Sequence, residues 1–440
     1  MSTFAPLFVP DELREAVSGR AWLEAMLDAE RALANAGALA GVVPAEDAAA
    51  IAAACVAGTY DWDELLVDGR RVGNPAEPLV RALAARVGPG PDRWVHRGAT
   101  SQDVMDTAAM LVAKRTLGHV LGDLERVAGA CAAQAREHRD TPMAGRTLLQ
   151  HAVPTTFGLK AAGWLVAVLE AARRLEQLRR GLPAQLGGAA GTLSALGSDG
   201  LEVQRLYARE LELVEPPLPW HTNRVPVAEL GAALDVAAGA LAKIGLDLVL
   251  LAQTEVAEVR EGGEGGGSST MPQKRNPTGA VATRACAALA RAGALVLTGA
   301  LPQEHERAAG AWQAEWEALC AALAYTGAAA AALASALEGL EVDAARMRAN
   351  LELTGGQIAA ERLALILADT RGRTEARELV RAASLRAAAT GRSLADELLA
   401  DDTGLTAAEV AAALDPATYL GSAGAFVDRA LALFEAERGA

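Results

Sequence analysis

GSSTMPQKRNP, at residues 267–277, is the stretch of this chain that an ordinary structural role explains least well. It completes a glycine-rich run, EGGEGGG at 261–267, which cannot hold a helix or a strand because glycine loses more backbone entropy on ordering than any other residue. Two hydroxyls, two cations and an amide then precede Pro277, a residue that can open a new helix. The pattern predicts a loop over 261–277 that can open and close and that gathers polar groups.

Two other interpretations of this loop fit it less well. A flexible surface linker seldom carries the pattern Met-Pro-x-Lys-x-Asn-Pro between two strongly helical segments. A loop that cradles phosphate would follow a strand of β-branched residues and would end in Gly-Lys-Ser or Gly-Lys-Thr, and the sequence has neither feature there. A family resemblance is the remaining interpretation.

Residues 267–277 resemble the signature loop of the fumarase/aspartase/argininosuccinate lyase superfamily. The resemblance implies that Ser268 is the general base that exchanges a proton on the carbon next to a carboxylate. It also implies that Lys274 and Asn276 bind that carboxylate. A serine hydroxyl is a poor base unless its oxyanion is stabilised, and Lys274, Arg275 and the loop amides are available for that purpose. We call residues 261–277 the signature loop.

Length and composition bound the fold class. With 440 residues the chain is too long for one simple core, which favours two or three domains. Hydrophobic residues make up 51% of the chain and aromatic residues only 4%, so alanine and leucine dominate the apolar part and favour closely packed helices. The sequence therefore predicts an all-α protein.

Charge and cysteine usage exclude several classes of partner. The formal net charge is −14 and no basic run stands out, so nucleic acid is not an expected partner. An anionic substrate would need a local cluster of cations. The four cysteines are scattered and show neither a CxxC pattern nor the spacing of Cys and His metal ligands, so no metal site is predicted.

Membrane insertion is not expected either. The first ten residues lack the basic region and apolar core of a signal peptide. Residues 318–337 carry no charge over a length that could cross a bilayer, but they are mostly alanine and include Tyr325, Thr326 and Ser335. We interpret this segment as a buried bundle helix and predict a soluble, cytoplasmic protein.

A second polar stretch, WVHRGATSQD at 94–103, precedes a segment over 104–138 that no proline interrupts. The pattern predicts a helix much longer than the globular average. Thr100 and Ser101 stand where a helix N-cap would be, so simple capping explains them as well as function does. The pattern His-x-Gly-x-Thr-Ser-x-Asp also resembles the first signature region of the superfamily. That resemblance implies that Thr100 and Ser101 hold a substrate carboxylate.

The third polar stretch, MAGRTLLQHAVPTTFG at 143–158, is expected to open a helix at Pro154 that runs to about Gly181. Fumarases and adenylosuccinate lyases carry a histidine for acid/base work after Gly-Arg-Thr, and here that residue is Leu148. His151 is the histidine nearby, and a lone histidine at a helix start is more often a capping or solvated residue than a catalytic one. The resemblance makes His151 a catalytic candidate. It also makes Arg146, Thr147 and Gln150 candidates for substrate binding.

A fourth stretch, EHERAAGAWQAEW at 304–316, follows a predicted helix over 278–301. Trp312 and Trp316 lie four residues apart and are expected to pack on one helix face. Arg307 is harder to explain as packing, and we assign it to a substrate carboxylate. Upstream, the Gln-Thr-Glu at 253–255 resembles the element that precedes the signature loop in the superfamily.

The resemblance covers nearly the whole chain and implies a three-domain all-α fold. We predict an N-terminal helical domain at 1–95, a central bundle of long helices at 96–345 that includes the signature loop, and a small C-terminal helical domain at 346–440. Ser18 can cap a helix that ends near Gly37.

A predicted helix over 227–259 would expose more apolar surface than one chain can cover. Superfamily relatives bury such surface in a homotetramer with shared active sites, and we expect a tetramer here.

Within the superfamily, the second, third and fourth stretches resemble the bacterial 3-carboxy-cis,cis-muconate cycloisomerases. That resemblance implies a cofactor-independent isomerase, without metal, that acts on a small tricarboxylate. Its nucleophile is the substrate's own ionised carboxylate, so the histidine missing at Leu148 is not needed. Either Ser268 or His151 delivers the proton. Adenylosuccinate lyase, or a related lyase that breaks C–N or C–O bonds, is the alternative enzyme, and a catalytically silent structural relative is the second alternative.

Overall fold

The structure, a computed structural model, describes residues 3–262, 266–267 and 270–438, and helices dominate it. The described residues contain eighteen α-helices and four short strands, so the predicted all-α class is confirmed. The helices are α1 Ala5–Phe8, α2 Asp11–Ala16, α3 Gly19–Leu39, α4 Ala45–Ala54, α5 Trp62–Gly69, α6 Ala76–Val87, α7 Ser101–Glu137, α8 Phe157–Gly181, α9 Gly200–Glu210, α10 Val225–Leu251, α11 Thr278–Gly299, α12 Ala311–Glu338, α13 Ala344–Glu352, α14 Ala360–Arg371, α15 Arg373–Thr390, α16 Leu394–Leu399, α17 Ala407–Leu414 and α18 Ala423–Arg438.

The strands form two small antiparallel pairs. Strand β1 (Pro142–Thr147) pairs with β2 (Gln150–Thr156), and β3 (Val259–Glu261) pairs with β4 (Leu340–Val342). The predicted helix start at Pro154 is therefore wrong, because Pro154 lies in β2 opposite Ala144 and the helix begins at Phe157. A two-stranded sheet tolerates proline where the strand needs no donor.

The chain divides into two compact units, each made of three segments. The first unit comprises Met1–Glu125, Glu170–Lys243 and Ala282–Leu333, and the second comprises Arg126–Leu169, Ile244–Val281 and Ala334–Ala440. The three-domain division at 95 and 345 stays a prediction.

In the first unit, α3 is the helix around which the N-terminal elements pack. The Ser18 side chain accepts a hydrogen bond from the Ala21 amide, as expected of an N-cap. The helix ends at Leu39, two residues beyond the predicted Gly37, and packs against α4 and α9. Its Trp22 donates the indole N–H to the sulfur of Cys320 on α12.

In the part of the chain that the structure describes, two helices, α11 and α12, are long and apolar enough to span a membrane by composition. Of the apolar window of α12, 72% is buried inside the protein, so the prediction of a buried helix over 318–337 is confirmed. Core helices of soluble proteins pass the same test of length and composition.

In the second unit, the β1–β2 hairpin packs on α13, and α14 to α17 enclose a small apolar core of their own. The long helix predicted over 227–259 ends earlier than expected, at Leu251. Ala257 has a positive φ of 52°, and Val259 leaves the helical path to pair with Val342. The strand pairing therefore competes with a helix that the apolar pattern alone would extend.

Candidate functional site

The start of α7 carries Thr100 and Ser101, and Asp103 fixes its conformation. The Thr100 amide donates to Asp103 Oδ2 at 2.9 Å, which is the backward half of a capping box. Asp103 also accepts from the amides of Gly187 at 3.0 Å and Gly188 at 2.8 Å. One buried carboxylate thus joins the Thr-Ser turn to the glycine-rich loop after α8.

His221 also contacts the carboxylate of Asp103. Its Nε2 lies 2.6 Å from Asp103 Oδ1, and both side chains are buried.

The Thr-Ser turn and the glycine-rich loop after α8 approach each other so closely that two positions require glycine. A Cβ at Gly98, where φ is 83°, would lie 2.4 Å from Leu196, and a Cβ at Gly188 would lie 2.8 Å from the Gly98 carbonyl oxygen. The Thr-Ser turn is therefore held rigidly from several sides.

Arg307 contacts this cluster through the side chain of Gln102, the residue after Ser101. Its Nη1 donates to Gln102 Oε1 at 2.8 Å, and its Nη2 donates to the Ala189 carbonyl oxygen at 2.8 Å. The structure thus brings the predicted residues Thr100, Ser101 and Arg307 to one place in the first unit.

Beneath this cluster lies a buried group of charges. Arg224 donates two hydrogen bonds to Asp106, at 2.8 and 2.9 Å, and two to Glu315, at 3.1 and 2.5 Å. Trp312 Nε1 donates to Asp106 at 2.9 Å, and Gln303 donates to Glu315 at 2.9 Å. Burial raises the pKa of Glu315, although Arg224 opposes that shift. The buried guanidinium of Arg224 therefore forms ion pairs with two buried carboxylates.

The β1–β2 hairpin of the second unit carries His151, and two leucines form its turn. Leu148 and Leu149 both have positive φ, 51° and 64°, as in the type I′ turn that usually contains Asn and Gly. Each leucine in this conformation costs about 1–2 kcal/mol. The two side chains are nevertheless 97% and 76% exposed. The position that follows Gly-Arg-Thr is thus the tip of an apolar hairpin turn.

Arg146 stands directly opposite His151 in the hairpin, and its charge is neutralised within the second unit. Its Nη1 and Nη2 donate to Glu258 at 3.0 and 2.6 Å, and Glu258 is fully buried. Asn350 Nδ2 donates to the same carboxylate at 2.8 Å and to the Val256 carbonyl oxygen. The substrate-binding roles of Arg146, and of the exposed Thr147 and Gln150 beside it, stay predictions.

His151 has an electrostatic environment that favours its neutral form. Burial lowers its pKa, and the positive charge of Arg146 lowers it further, whereas Glu258 opposes the shift. His151 is half-buried in β2 rather than at a helix start, so that part of the sequence prediction is wrong. A neutral imidazole at pH 7 can accept a proton.

We expect Glu258→Gln to lower the pKa of His151 further, because the substitution removes the negative charge of Glu258, which raises that pKa. An NMR titration of the histidine ring protons, with His151→Gln to assign the resonance, measures this pKa. Glu341→Gln is the matched control, since Glu341 pairs with Arg260 at the surface of the same unit. An unchanged or higher His151 pKa in Glu258→Gln would contradict the electrostatic assignment.

In the described part of the signature loop, Asn276 forms hydrogen bonds back to Gly266. The Asn276 backbone and side-chain amides both donate to the Gly266 carbonyl oxygen, at 2.8 and 3.0 Å. Glu261 accepts from the amides of Gly279 and Ala280 and so caps the start of α11. Lys274 is exposed, and Ser268, the predicted proton carrier, lies outside the described residues.

A cleft of about 1010 Å³ borders the signature loop within the second unit. The cleft is lined by Lys274, Asn276, Gln253 and Thr254, so the first two residues of the predicted Gln-Thr-Glu element and the loop meet at one cavity. Among the described residues, no group of three or more His, Cys, Asp and Glu side chains could hold a metal ion.

Several polar residues around Asp103 in the first unit and around Glu258 in the second unit were not predicted from the sequence. Asp103 is present in the second polar stretch, where its spacing to Thr100 signals a capping residue. Gln102 stands beside it without a distinguishing pattern. His221, Glu258 and Asn350 have no local signal, because their partners are remote in sequence.

Comparison with known proteins defines the family of this chain. The model of the lyase family matches residues 9–291, and the model of the adenylosuccinate lyase C-terminus matches residues 356–430. A nitrosuccinate lyase from Streptomyces davaonensis is 47% identical, over 97% of this chain and 94% of the relative. A 3-carboxy-cis,cis-muconate cycloisomerase from Bradyrhizobium diazoefficiens is 46% identical, over 97% of both chains.

The fold comparison agrees with these sequence relatives. The crystal structure of the 3-carboxy-cis,cis-muconate lactonizing enzyme from Pseudomonas putida matches with a TM-score of 0.92 and 43% identity, over 99% of both chains. The lyase model alone matches more than half of the chain. This chain therefore belongs to the fumarase/aspartase/adenylosuccinate lyase superfamily.

Proposed function

We propose that this chain is a 3-carboxy-cis,cis-muconate cycloisomerase, which adds a substrate carboxylate across a double bond to give 4-carboxymuconolactone in protocatechuate (β-ketoadipate) catabolism. The observation that carries the proposal is the residue at the tip of the β1–β2 hairpin. Leu148 stands where related lyases have a histidine, so this position offers no titrating group. The leucine side chain is 97% exposed. A carboxylate is already ionised at neutral pH and needs no base there.

The reaction balances without an external reactant. A carboxylate oxygen forms a C–O bond to one alkene carbon, and the π electrons move to the neighbouring carbon, next to another carboxylate. That carbon then takes one proton, so the product is an isomer of the substrate. Holding the nucleophile close can supply about 7–11 kcal/mol in well-oriented cases. The developing dianion needs positive charge and amide donors for most of the remaining stabilisation.

The substrate carboxylates are assigned to the groups with available charge or donors. Arg307 binds one carboxylate together with Thr100 and Ser101, because it donates only to neutral oxygens in the structure. Lys274 and Asn276 bind another at the signature loop. Ser268 or His151 delivers the proton. Neither a metal nor an organic cofactor takes part in the proposed step.

Nitrosuccinate lyase activity is the second candidate, because the relative from Streptomyces davaonensis is 47% identical. Elimination from a nitro-substituted succinate breaks a C–H and a C–N bond, releases nitrite and leaves a C=C bond. The carboxylate-binding groups assigned above suit this dicarboxylate as well. Elimination needs a base at the outset, a task that Ser268 would perform.

Three substrates separate these activities in one experiment. We expect purified protein to remove the conjugated diene absorbance of 3-carboxy-cis,cis-muconate rapidly. We expect slow or no release of nitrite from nitrosuccinate, and no cleavage of adenylosuccinate. Faster turnover of nitrosuccinate would assign the lyase activity instead, and no turnover of any of the three would favour a catalytically silent protein.

We also propose a homotetramer with shared active sites and a cytoplasmic location. The apolar side chains that α10 and α11 leave exposed support the assembly, among them Val236, Leu246, Leu289 and Leu295. Light scattering at assay concentrations is expected to give the mass of four chains. A fully active monomer would contradict the shared-site arrangement.

A further inference from the structure

Gln102 is held in one orientation by three hydrogen bonds. The side chain is 1% exposed, and its Nε2 donates to the His221 carbonyl oxygen at 2.7 Å and to Asp106 Oδ2 at 3.1 Å. Neither of these partners can donate a hydrogen bond in return. The amide therefore cannot rotate by 180° without placing oxygen against oxygen. Its Oε1 must face Arg307, whose Nη1 donates to it at 2.8 Å.

This arrangement orients the guanidinium of Arg307 without cancelling its charge. The second acceptor, the Ala189 carbonyl oxygen, is also neutral. Within the described part of the chain, no carboxylate lies within 4.0 Å of Arg307. Arg146 and Arg224 differ, since each donates to at least one buried carboxylate. Of these three arginines, Arg307 alone is both fixed in direction and left with an uncompensated charge.

We propose that Gln102 is a positioning and specificity residue that presents Arg307, with its charge intact, to a carboxylate of the substrate. The identity of that carboxylate rests on the proposed function, whereas the orientation of Arg307 rests on the contacts alone. A carboxylate at position 102 would reach the same nitrogen and neutralise it. A neutral acceptor is therefore the chemistry that position 102 requires for an anionic substrate.

A purely structural role for Gln102 makes a different prediction. If the amide only satisfies Asp106 and the His221 carbonyl, replacing it would lower stability and affect substrate binding independently of Arg307. If it acts through Arg307, its effect on anion binding must disappear once Arg307 is removed. A double-mutant cycle between positions 102 and 307 separates the two roles.

The test measures binding of propane-1,2,3-tricarboxylate to the full chain by calorimetry, with thermal unfolding as a check on folding. We expect Gln102→Met to raise Kd roughly threefold to tenfold, because one oriented hydrogen bond is lost. We expect Gln102→Glu to raise Kd more, on the order of 10- to 100-fold. The introduced carboxylate would pair with Arg307 in place of the substrate carboxylate. In an Arg307→Met background, Gln102→Met is expected to leave Kd unchanged within about twofold.

Gln204→Met is the matched control. Gln204 is a buried glutamine of the same unit whose amide donates to the Leu186 carbonyl oxygen, so the variant also removes a buried amide but has no contact with Arg307. We expect it to lower stability and leave Kd unchanged.

Three results would overturn the inference. They are equal effects of Gln102→Met with and without Arg307, a Gln102→Glu variant that binds no worse than Gln102→Met, and a wild-type chain that does not bind the tricarboxylate at millimolar concentration. Turnover of 3-carboxy-cis,cis-muconate is measured separately. A wild-type chain that binds the tricarboxylate as expected but does not turn over the diene would refute the proposed function and leave the role of Gln102 standing.

Discussion

Replacing Ser268 by alanine is expected to lower kcat by about two to four orders of magnitude, the usual contribution of a positioned proton-transfer group. The Michaelis constant should change little, because the hydroxyl acts mainly in the transition state and contributes little to ground-state binding. The loss of diene absorbance under steady-state conditions measures both constants. Solvent deuterium provides an independent check, since either proton donor must place one solvent-derived hydrogen beside a product carboxylate.

Two further variants locate the proton carrier. Ser269→Ala removes the neighbouring hydroxyl of the same loop and is expected to retain near-normal kcat. His151→Gln is expected to cost less than Ser268→Ala and to alter mainly the pH dependence. A reversed ranking, with the acid-side limb of the pH–rate profile moving in His151→Gln, would assign the transfer to His151. Near-normal turnover by Ser268→Ala would refute the assignment to serine.

The helical part of the fold was predictable because its signals are local. Ser18 caps α3, and no proline interrupts the segment that became α7, Ser101–Glu137. The predicted helix over 278–301 ends only two residues early, at Gly299. In these segments, propensity, apolar spacing and capping all favour the same structure, so the sequence alone defines the helix.

The β1–β2 hairpin was missed because its turn and its second strand contain residues that are unusual for those conformations. A turn of two leucines carries no turn signal, since Leu148 and Leu149 lack the glycine or asparagine that positive φ favours. Pro154 resembles a helix start and instead lies in a strand. The end of α10 at Leu251 was missed for a related reason, because the competing strand pairs with residues far along the chain.

The candidate site was predictable only in part, because motifs identify side chains and not their partners. The sequence analysis made both Arg146 and Arg307, two cations in polar stretches, candidates for binding a substrate carboxylate. The structure distinguishes them, since Arg146 donates to a buried carboxylate from Glu258 and Arg307 donates to neutral oxygens. Contacts such as that between Glu258 and Asn350 join residues remote in sequence, which no local pattern reveals.

The buried pair of carboxylates around Arg224 makes this arginine a side chain whose loss should strongly destabilise the chain. All three groups are almost completely removed from solvent. Asp106 and Glu315 would repel each other without the guanidinium between them, and neither could recover its hydration inside the protein. The cluster also lies next to Gln102, because Gln102 donates to Asp106.

Arg224→Met is expected to lower the free energy of unfolding by about 3–5 kcal/mol, because it leaves two buried carboxylates without a cation. Unfolding in urea at fixed protein concentration measures the change. Arg205→Met, which breaks an exposed pair with Glu202 on α9, should cost far less, because exposed ion pairs contribute little to stability.

Without the cation, which lowers it, the pKa of Glu315 in the folded state lies further above its value in the unfolded chain, because burial already raises it. The folded state then binds more protons, so the deficit should be smaller at pH 5 than at pH 8. Adding Asp106→Asn and Glu315→Gln to Arg224→Met should recover most of the loss. Equal stability of Arg224→Met and Arg205→Met would show that the cluster is not held by its charges.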